Sequence, residues 1–400
     1  MDKLSELLSK YIPLVPAEEI SSRLERLFDS MDCDLAVLGY PPDVYYFTGT
    51  KQEGWLLATR NRKAVFCCIK SPSRAKIETP IEVIPIKSLK DLPRVVSDMG
   101  ITYEIIGTEK DVLSWEVVNR LGELFKSEVK NISTTIREIK AVKSEWEIAT
   151  LKKSAEIVKR GYEVFRENLR EGISEIELQA LCLYEMRKMG HEAGEYMRGG
   201  RMDGFLGYVI SGVAGATPSY TNAPLHGIGL SPAMPTGPSF KKIERGEPVI
   251  FDFFGTYMGY LVDMTRLAGL GPLPREVHEA YTVVRDIHAW LRENLKAKVD
   301  ALDIYNGVIS IVEKSNYRDY FMGYGELKVN FIGHGVGIEI NEYPFIARGL
   351  SMELKENMVV AIEPKFLIPQ IGAVGLENTY LITKSGGLVL TDADEELFIK

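Results

Sequence analysis

Four acids at two spacings are the residues from which this chain could build chemistry. Asp252 and Asp263 lie eleven positions apart in PVIFDFFGTYMGYLVDMTR, and Glu363 and Glu377 lie fourteen apart in MVVAIEPKFLIPQIGAVGLENTYLIT. Both segments are dominated by apolar β-formers and read as strand pairs, the first joined around Gly255 to Gly259. Side chains two apart in an extended strand share a face, so Thr265 accompanies Asp263 and Thr379 accompanies Glu377. Each pair of strands therefore carries an acid on either arm and a carboxylate-x-Thr on the second. The repetition hints at an internal duplication.

One acid on a strand is ordinarily a solvated residue. Four are different here, because VVAIEP and VIFDFF read as fully buried strands. A buried, unpaired carboxylate is costly, and clustered ones demand positive charge. Too few basic residues lie in these segments to supply it, whereas two divalent cations would balance four carboxylates. A third element, FIGHGVGIEINEYP, sets His334 between glycines that permit close backbone approach. Its imidazole is a reasonable fifth ligand. An oxygen-rich site with one imidazole and no thiolate suits Mn²⁺, Co²⁺, Fe²⁺ or Zn²⁺. Two such ions close together would hold a bridging hydroxide as a nucleophile at neutral pH.

The elements around these residues set the frame. Ser144 with Glu147 forms a capping box, followed by the apolar stripe Ile148, Leu151, Ala155, Val158, Tyr162 and Phe165. Ser174 with Glu177 opens a second helix, which Gly190 stops. A third helix runs from about Pro274 to Lys296. Residues 197–240, rich in Gly, Pro, Ser and Thr, form a long irregular segment of the kind that is often functional. The first 130 or so residues read as a mixed α/β unit with strands at AVLGY, KAVFCCIK, IEVIPI and YEIIGTE. In it PPDVYYFTG begins with a turn and runs into β-prone aromatics. A boundary near residue 140 splits the 400 residues into two domains.

Composition excludes several classes. Lys plus Arg is 48 and Asp plus Glu is 56, a net charge of −8 that argues against nucleic-acid or anionic-membrane binding. There is no apolar run of membrane-spanning length. Neither a disulfide framework nor a CxxC pattern links Cys33, Cys67, Cys68 and Cys182, which fits a reducing cytoplasm. Only five histidines exist, at 191, 226, 278, 288 and 334, so a mechanism needing several has little to draw on.

On the DFFGTYMGYLVDMTR, GHGVG, AIEPK and GLENTYLIT stretches, the sequence resembles the pita-bread metallopeptidases: prolidase, aminopeptidase P, creatinase and methionine aminopeptidase. IREIKAVKSEWEIATLKKSAEI and PPDVYYFTG extend the resemblance toward the prolidase and aminopeptidase P branch. It implies an α/β (α+β) fold. A creatinase-like N-terminal α/β domain would occupy residues 1–140. A pita-bread catalytic domain, a curved antiparallel sheet with flanking helices, would occupy residues 141–400. It also implies two divalent metal ions (Mn, Co or Zn) held by Asp252, Asp263, His334, Glu363 and Glu377. Asp263 and Glu377 would bridge the ions, Glu363 would shuttle the proton, and Thr265 and Thr379 would orient the bridging carboxylates. A homodimer that cleaves small peptides, of Xaa-Pro dipeptidase or aminopeptidase P type, is the implied assembly and activity. Three positions depart from the family pattern: Asn341, Phe345 and Ser219 stand where histidine, arginine and histidine are usual. His226 could supply the missing imidazole, and Asn341 could hydrogen-bond a substrate carbonyl. These departures leave two alternatives, a creatinase-like hydrolase or lyase acting on a small metabolite, and a metal-binding, non-catalytic interaction protein.

Overall fold

Helices in this chain start where a side-chain oxygen meets their first free amides. In the computed structural model, which describes residues 3–194, 196–199, 206–325 and 328–400, the Glu147 amide donates to Ser144 Oγ at 3.1 Å. The Ser144 amide donates to the Glu147 carboxylate at 2.9 Å. The helix Glu145–Asn168 follows, with Ile148, Leu151, Val158, Tyr162 and Phe165 all buried. Ser174 caps Glu175–Lys188 through the Glu177 amide only, because the Glu177 carboxylate turns to Arg170 at 3.3 Å.

Two compact units divide the chain, residues 1–140 and 141–400. The first is built on a six-stranded mixed sheet in the order Glu82–Pro85, Ala64–Cys68, Gly54–Thr59, Leu35–Leu38, Ile105–Thr108, Glu128–Asn131. Leu35, Val37, Leu57, Val65 and Ile106 form its core with Leu92, Val96, Leu121 and Phe125 from the helices. The Pro41–Gly49 stretch is not the turn and extended run expected from its aromatics. It is a helix, Pro41–Thr48, with proline in its first turn and Gly49 closing it at φ 78°. Burial of Val44, Tyr46 and Phe47 on that helix outweighs their β-propensity. All four cysteines are buried and free. Among the described residues, no helix is long and apolar enough to cross a membrane.

The second unit carries the acids on two sheets, the first antiparallel but for one parallel edge strand, Phe398–Ile399, and the second wholly antiparallel. One has the order Phe398–Ile399, Tyr260–Gly269, Pro248–Tyr257, Tyr208–Ser211. The other has the order Glu342–Ala347, Phe331–Gly335, Val359–Ile362, Asn378–Ile382, Gly387–Val389. A separate hairpin, Lys365–Ile368 with Gly372–Gly375, is inserted between the two strands that flank Glu363 and Glu377. The expected duplication therefore holds two strand pairs, but the second is interrupted by this hairpin. Within the long irregular segment, Tyr208–Ser211 forms a strand and Gly212–Ala216 a 3₁₀ turn, while residues 200–205 lie outside the described residues. The helix Arg275–Asn294 buries Val277, Tyr281, Val284, Ile287 and Leu291 in the core it shares with Ala301–Val312.

The first strand pair turns at Met258 and Gly259, both left-handed at φ 49° and 75°, rather than over Gly255–Gly259. Gly255 lies mid-strand, opposite Val262, beneath the helix Glu145–Asn168. A Cβ there would stand 2.1 Å from the Ser154 carbonyl oxygen, a backbone atom with nowhere to go. Ser154 Oγ also donates to Tyr260 O at 2.8 Å, which fixes the helix against the turn. Gly255→Ala is expected to cost about 1–3 kcal/mol by overpacking. Equilibrium urea unfolding would show it as a lower midpoint at unchanged slope, and an unchanged midpoint would mean that helix and strand separate freely.

Candidate metal centre

Strand register brings the acids to one place. Asp252 sits directly opposite Thr265, and Asp263 precedes Thr265 by two, so all three share a face. In the second pair Ile362 sits opposite Asn378, which leaves Glu363 and Glu377 just past the last paired residues. The Glu377 amide donates to Thr265 O at 3.1 Å and the Glu363 amide to Ile332 O at 2.9 Å, tying the acids to both sheets. His334 lies on the neighbouring strand, opposite Ala361. Asp252, Asp263, Glu363 and Glu377 are 7, 6, 7 and 1% exposed. Asp263, His334 and Glu377 each place one ligand atom within 4.8 Å of the others.

The supports cross between the two strand pairs. Thr265, on the first, donates to Glu377 Oε2 at 2.8 Å. Thr379, on the second, clamps the Asp263 main chain, accepting from its amide and donating to its carbonyl, both at 2.9 Å. Thr265 thus orients a carboxylate, whereas Thr379 fixes a backbone. Buried Arg266 gives no charge to the acids. It spends its guanidinium on the carbonyls of Thr265, Glu377, Thr391, Ala393 and Asp394 and on Asn378 Oδ1. His288 completes the support from the helix Arg275–Asn294. Its Nε2 donates to Leu376 O at 2.9 Å, and its Nδ1 accepts from Tyr380 OH at 2.7 Å.

The electrostatics are those of a site that needs cations. Burial, and then the Glu377 and Asp252 charges, push Asp263 well above the usual carboxylate range. Burial and the Glu377 charge raise Asp252 to about 6, although the Lys365 ammonium opposes the rise. Burial and the Glu363 charge raise Glu377 as well. Glu377 Oε1 is buried without a hydrogen-bond partner. The His334 Nδ1 lies 3.2 Å from Gly335 O and so carries its proton, which frees the Nε2 lone pair to bind. An orphaned carboxylate oxygen, a second carboxylate and a free imidazole nitrogen make a donor set that fits a divalent ion. One expectation needs correcting: the segments do supply a cation. Lys365, two residues after Glu363, reaches Glu363, Glu377 and Asp252. The i, i+2 spacing in AIEPK was its signal.

The acids and His334 line a cavity of about 740 Å³. Its walls include Tyr208, Phe331, Ile340 and Phe345, and its exposed residues include Lys328, Arg348 and Leu350. Asn341 lines it too, but its side chain is occupied: Oδ1 accepts from the Arg198 amide at 2.8 Å and Nδ2 donates to the Arg198 carbonyl at 3.1 Å. His226 is 2% exposed, pairs through Nδ1 with Thr221 Oγ1 at 2.8 Å, and is not part of the lining. Ser219 donates to Pro235 O at 3.2 Å and is also outside it. His191, just past the end of the helix Glu175–Lys188, is 1% exposed, with Nδ1 accepting from the Thr256 amide at 3.1 Å.

Burial lowers His288 from 6.5 to about 4, and burial with the Arg187 charge lowers His191 likewise. The unfolded chain binds protons that the folded chain refuses. This stability is therefore present above pH 6.5 and is lost as pH falls toward 4, by up to about 1.4 kcal/mol per pH unit for each ring. The raised acids of the site titrate in the opposite sense, so the ring is read as a difference: from pH 6.5 to 4 the urea midpoint of wild type is expected to drop relative to that of His288→Gln by the His288 share. No relative drop would mean that His288 is charged in the folded state.

Comparison with known proteins agrees with this geometry. Residues 149–384 match the profile of metallopeptidase family M24, and residues 21–142 match that of the creatinase/prolidase N-terminal domain. A Xaa-Pro dipeptidase of Pyrococcus furiosus is 29% identical over 331 residues, covering 81% of this chain and 84% of the relative. The prolidase structure from Pyrococcus horikoshii aligns at a TM-score of 0.79 and 27% identity, over 94% of this chain and 99% of that one. A Xaa-Pro dipeptidase from Bacillus anthracis aligns at 0.81 and 26% identity, over 96 and 100%. With the family profile spanning more than half of its length, and a prolidase-like fold around a cluster of buried acids, this chain belongs to metallopeptidase family M24.

Proposed function

We propose that the chain hydrolyses the peptide bond before proline in short peptides, as a metal-dependent Xaa-Pro dipeptidase or aminopeptidase P-type enzyme. The observation that carries this reading is the cation seat formed by Asp263, His334 and Glu377, whose Oε1 has no partner, set in the wall of a largely apolar cavity. A divalent ion held there supplies Lewis-acid polarisation of the carbonyl and lowers the pKa of water toward neutrality.

The chain's own groups do the rest. Glu363, beside His334 with Oε1 3.8 Å from Nε2, accepts a proton from the attacking water. It then returns that proton to the proline nitrogen, which has none of its own to leave with. Tyr208, Phe331, Ile340 and Phe345 enclose the substrate side chains and exclude water. Lys328 and Arg348, exposed on the same cavity, meet the C-terminal carboxylate of a short peptide. Asn341 works through Arg198, whose main chain it holds next to Met197 of the cavity lining.

The test is a panel of Xaa-Pro dipeptides and longer Xaa-Pro peptides with Mn²⁺, Co²⁺ and Zn²⁺, using matched Xaa-Ala peptides as controls. Release of the N-terminal residue from Xaa-Pro substrates is expected, and Glu363→Gln should lower it by about 10²–10⁴-fold. Arg348→Ala should raise KM for dipeptides while leaving kcat close to wild type. Failure to release an amino acid from any Xaa-Pro peptide with any of the three ions would defeat the reading.

A further inference from the structure

Lys365 opens the strand Lys365–Ile368, and its side chain is 1% exposed. Its Nζ donates to Glu363 Oε2 at 2.6 Å and to Glu377 Oε2 at 3.2 Å, and lies 3.5 Å from Asp252 Oδ2. An ammonium has three donors, and each here has a carboxylate of its own. The stem is led there by the backbone. Lys365 pairs with Gly375, and a Cβ on Gly375 would fall 2.5 Å from Lys365 Cγ. Only glycine at that position lets the stem pass. The Lys365 carbonyl accepts from the Met322 amide at 2.8 Å, which anchors the strand from its other side.

The carboxylate cluster is thereby divided. On one side Glu363 Oε2, Glu377 Oε2 and Asp252 Oδ2 surround the ammonium. On the other, Asp263, His334 and Glu377 each bring a ligand atom within 4.8 Å of the others, and Glu377 Oε1 has no hydrogen-bond partner. Glu377 therefore belongs to both sides.

We propose that Lys365 is a built-in cation that takes the place of one metal ion, so that the chain holds a single divalent ion, at Asp263, His334 and Glu377. This rests on the metallopeptidase reading above and revises the two ions implied by the family resemblance. Charge balance is indifferent: with the ammonium present, one ion leaves a single negative charge over and two leave a single positive one. Geometry decides. A divalent ion needs oxygens at about 2.0–2.2 Å. On the Asp252 side the ammonium already holds one oxygen each of Asp252, Glu363 and Glu377, so an ion drawn to these three acids would lie against Nζ and keep only Asp252 Oδ1 and Glu363 Oε1 to itself. The side chain is buried and its stem is threaded past Gly375, so the ammonium stays with the cluster.

The experiment counts metal on the full-length protein. Wild type equilibrated with excess Mn²⁺ and freed of unbound ion by gel filtration should contain one Mn per chain by elemental analysis. Lys365→Met, which keeps the stem and removes the charge, should contain two, and Lys365→Arg should stay at one. In chelator, Lys365→Met should melt below wild type and recover when Mn²⁺ is returned, a recovery that loss of packing alone would not give. Two Mn per chain in wild type, or one in Lys365→Met, would overturn the proposal. The wild-type count decides even if Lys365→Met fails to fold. No bound Mn in wild type would overturn the metal reading along with it. One Mn in a protein that cleaves no Xaa-Pro peptide would support this inference and defeat the substrate reading alone.

Discussion

Four carboxylates packed together at less than 10% exposure are the constraint that the rest of the second unit serves. Each loses hydration on burial and each repels the others, so the site is unfavourable until positive charge enters it. The raised values of Asp252, Asp263 and Glu377 register that tension. No arrangement of apolar side chains relieves it. A fixed ammonium relieves part, and a bound divalent ion at the orphaned Glu377 Oε1 would relieve more.

The scaffold answers with crossed supports. A threonine from each strand pair reaches an acidic residue of the other, Thr265 the Glu377 carboxylate and Thr379 the Asp263 main chain, so the two pairs are tied together at the site. Arg266 and His288 hold the main chain on either side of Glu377, through its own carbonyl and that of Leu376. Both are buried and spend their polar groups on backbone carbonyls and on neutral side chains, Asn378 and Tyr380, so the acids keep their charge for a ligand. Such outer supports commonly matter nearly as much as the ligands they hold. Glycine does related work where elements touch: Gly255 admits the helix Glu145–Asn168, and Gly375 admits the Lys365 stem.

Much of this was legible beforehand, and the misses have physical causes. The burial of the acids followed from apolar flanking runs, and their shared face followed from the two-residue strand period. The capped helices were visible because capping is local chemistry. The Pro41–Thr48 helix was not, since its aromatics favour strand until a core claims them. The hairpin that interrupts the second strand pair was hidden, because a continuous apolar run does not reveal where pairing changes partner. Lys365 escaped notice because one basic residue weighs little in a charge count, whereas its three contacts weigh a great deal in space.

The sequence by itself determined that Asp252, Asp263, Glu363 and Glu377 lie on or beside buried strands, that Thr265 and Thr379 share faces with two of them, and which family these motifs resemble. Those are consequences of short-range periodicity and residue chemistry. Only the tertiary structure decided that Thr265 serves Glu377 rather than its neighbour Asp263. It alone showed that Asn341 is committed to Arg198 and that His226 lies off the cavity wall. It alone placed a lysine ammonium among three of the acids. Apart from the neighbouring Lys365 and Glu363, these contacts depend on which segments meet across 100 or so residues of chain, and no local pattern carries that information.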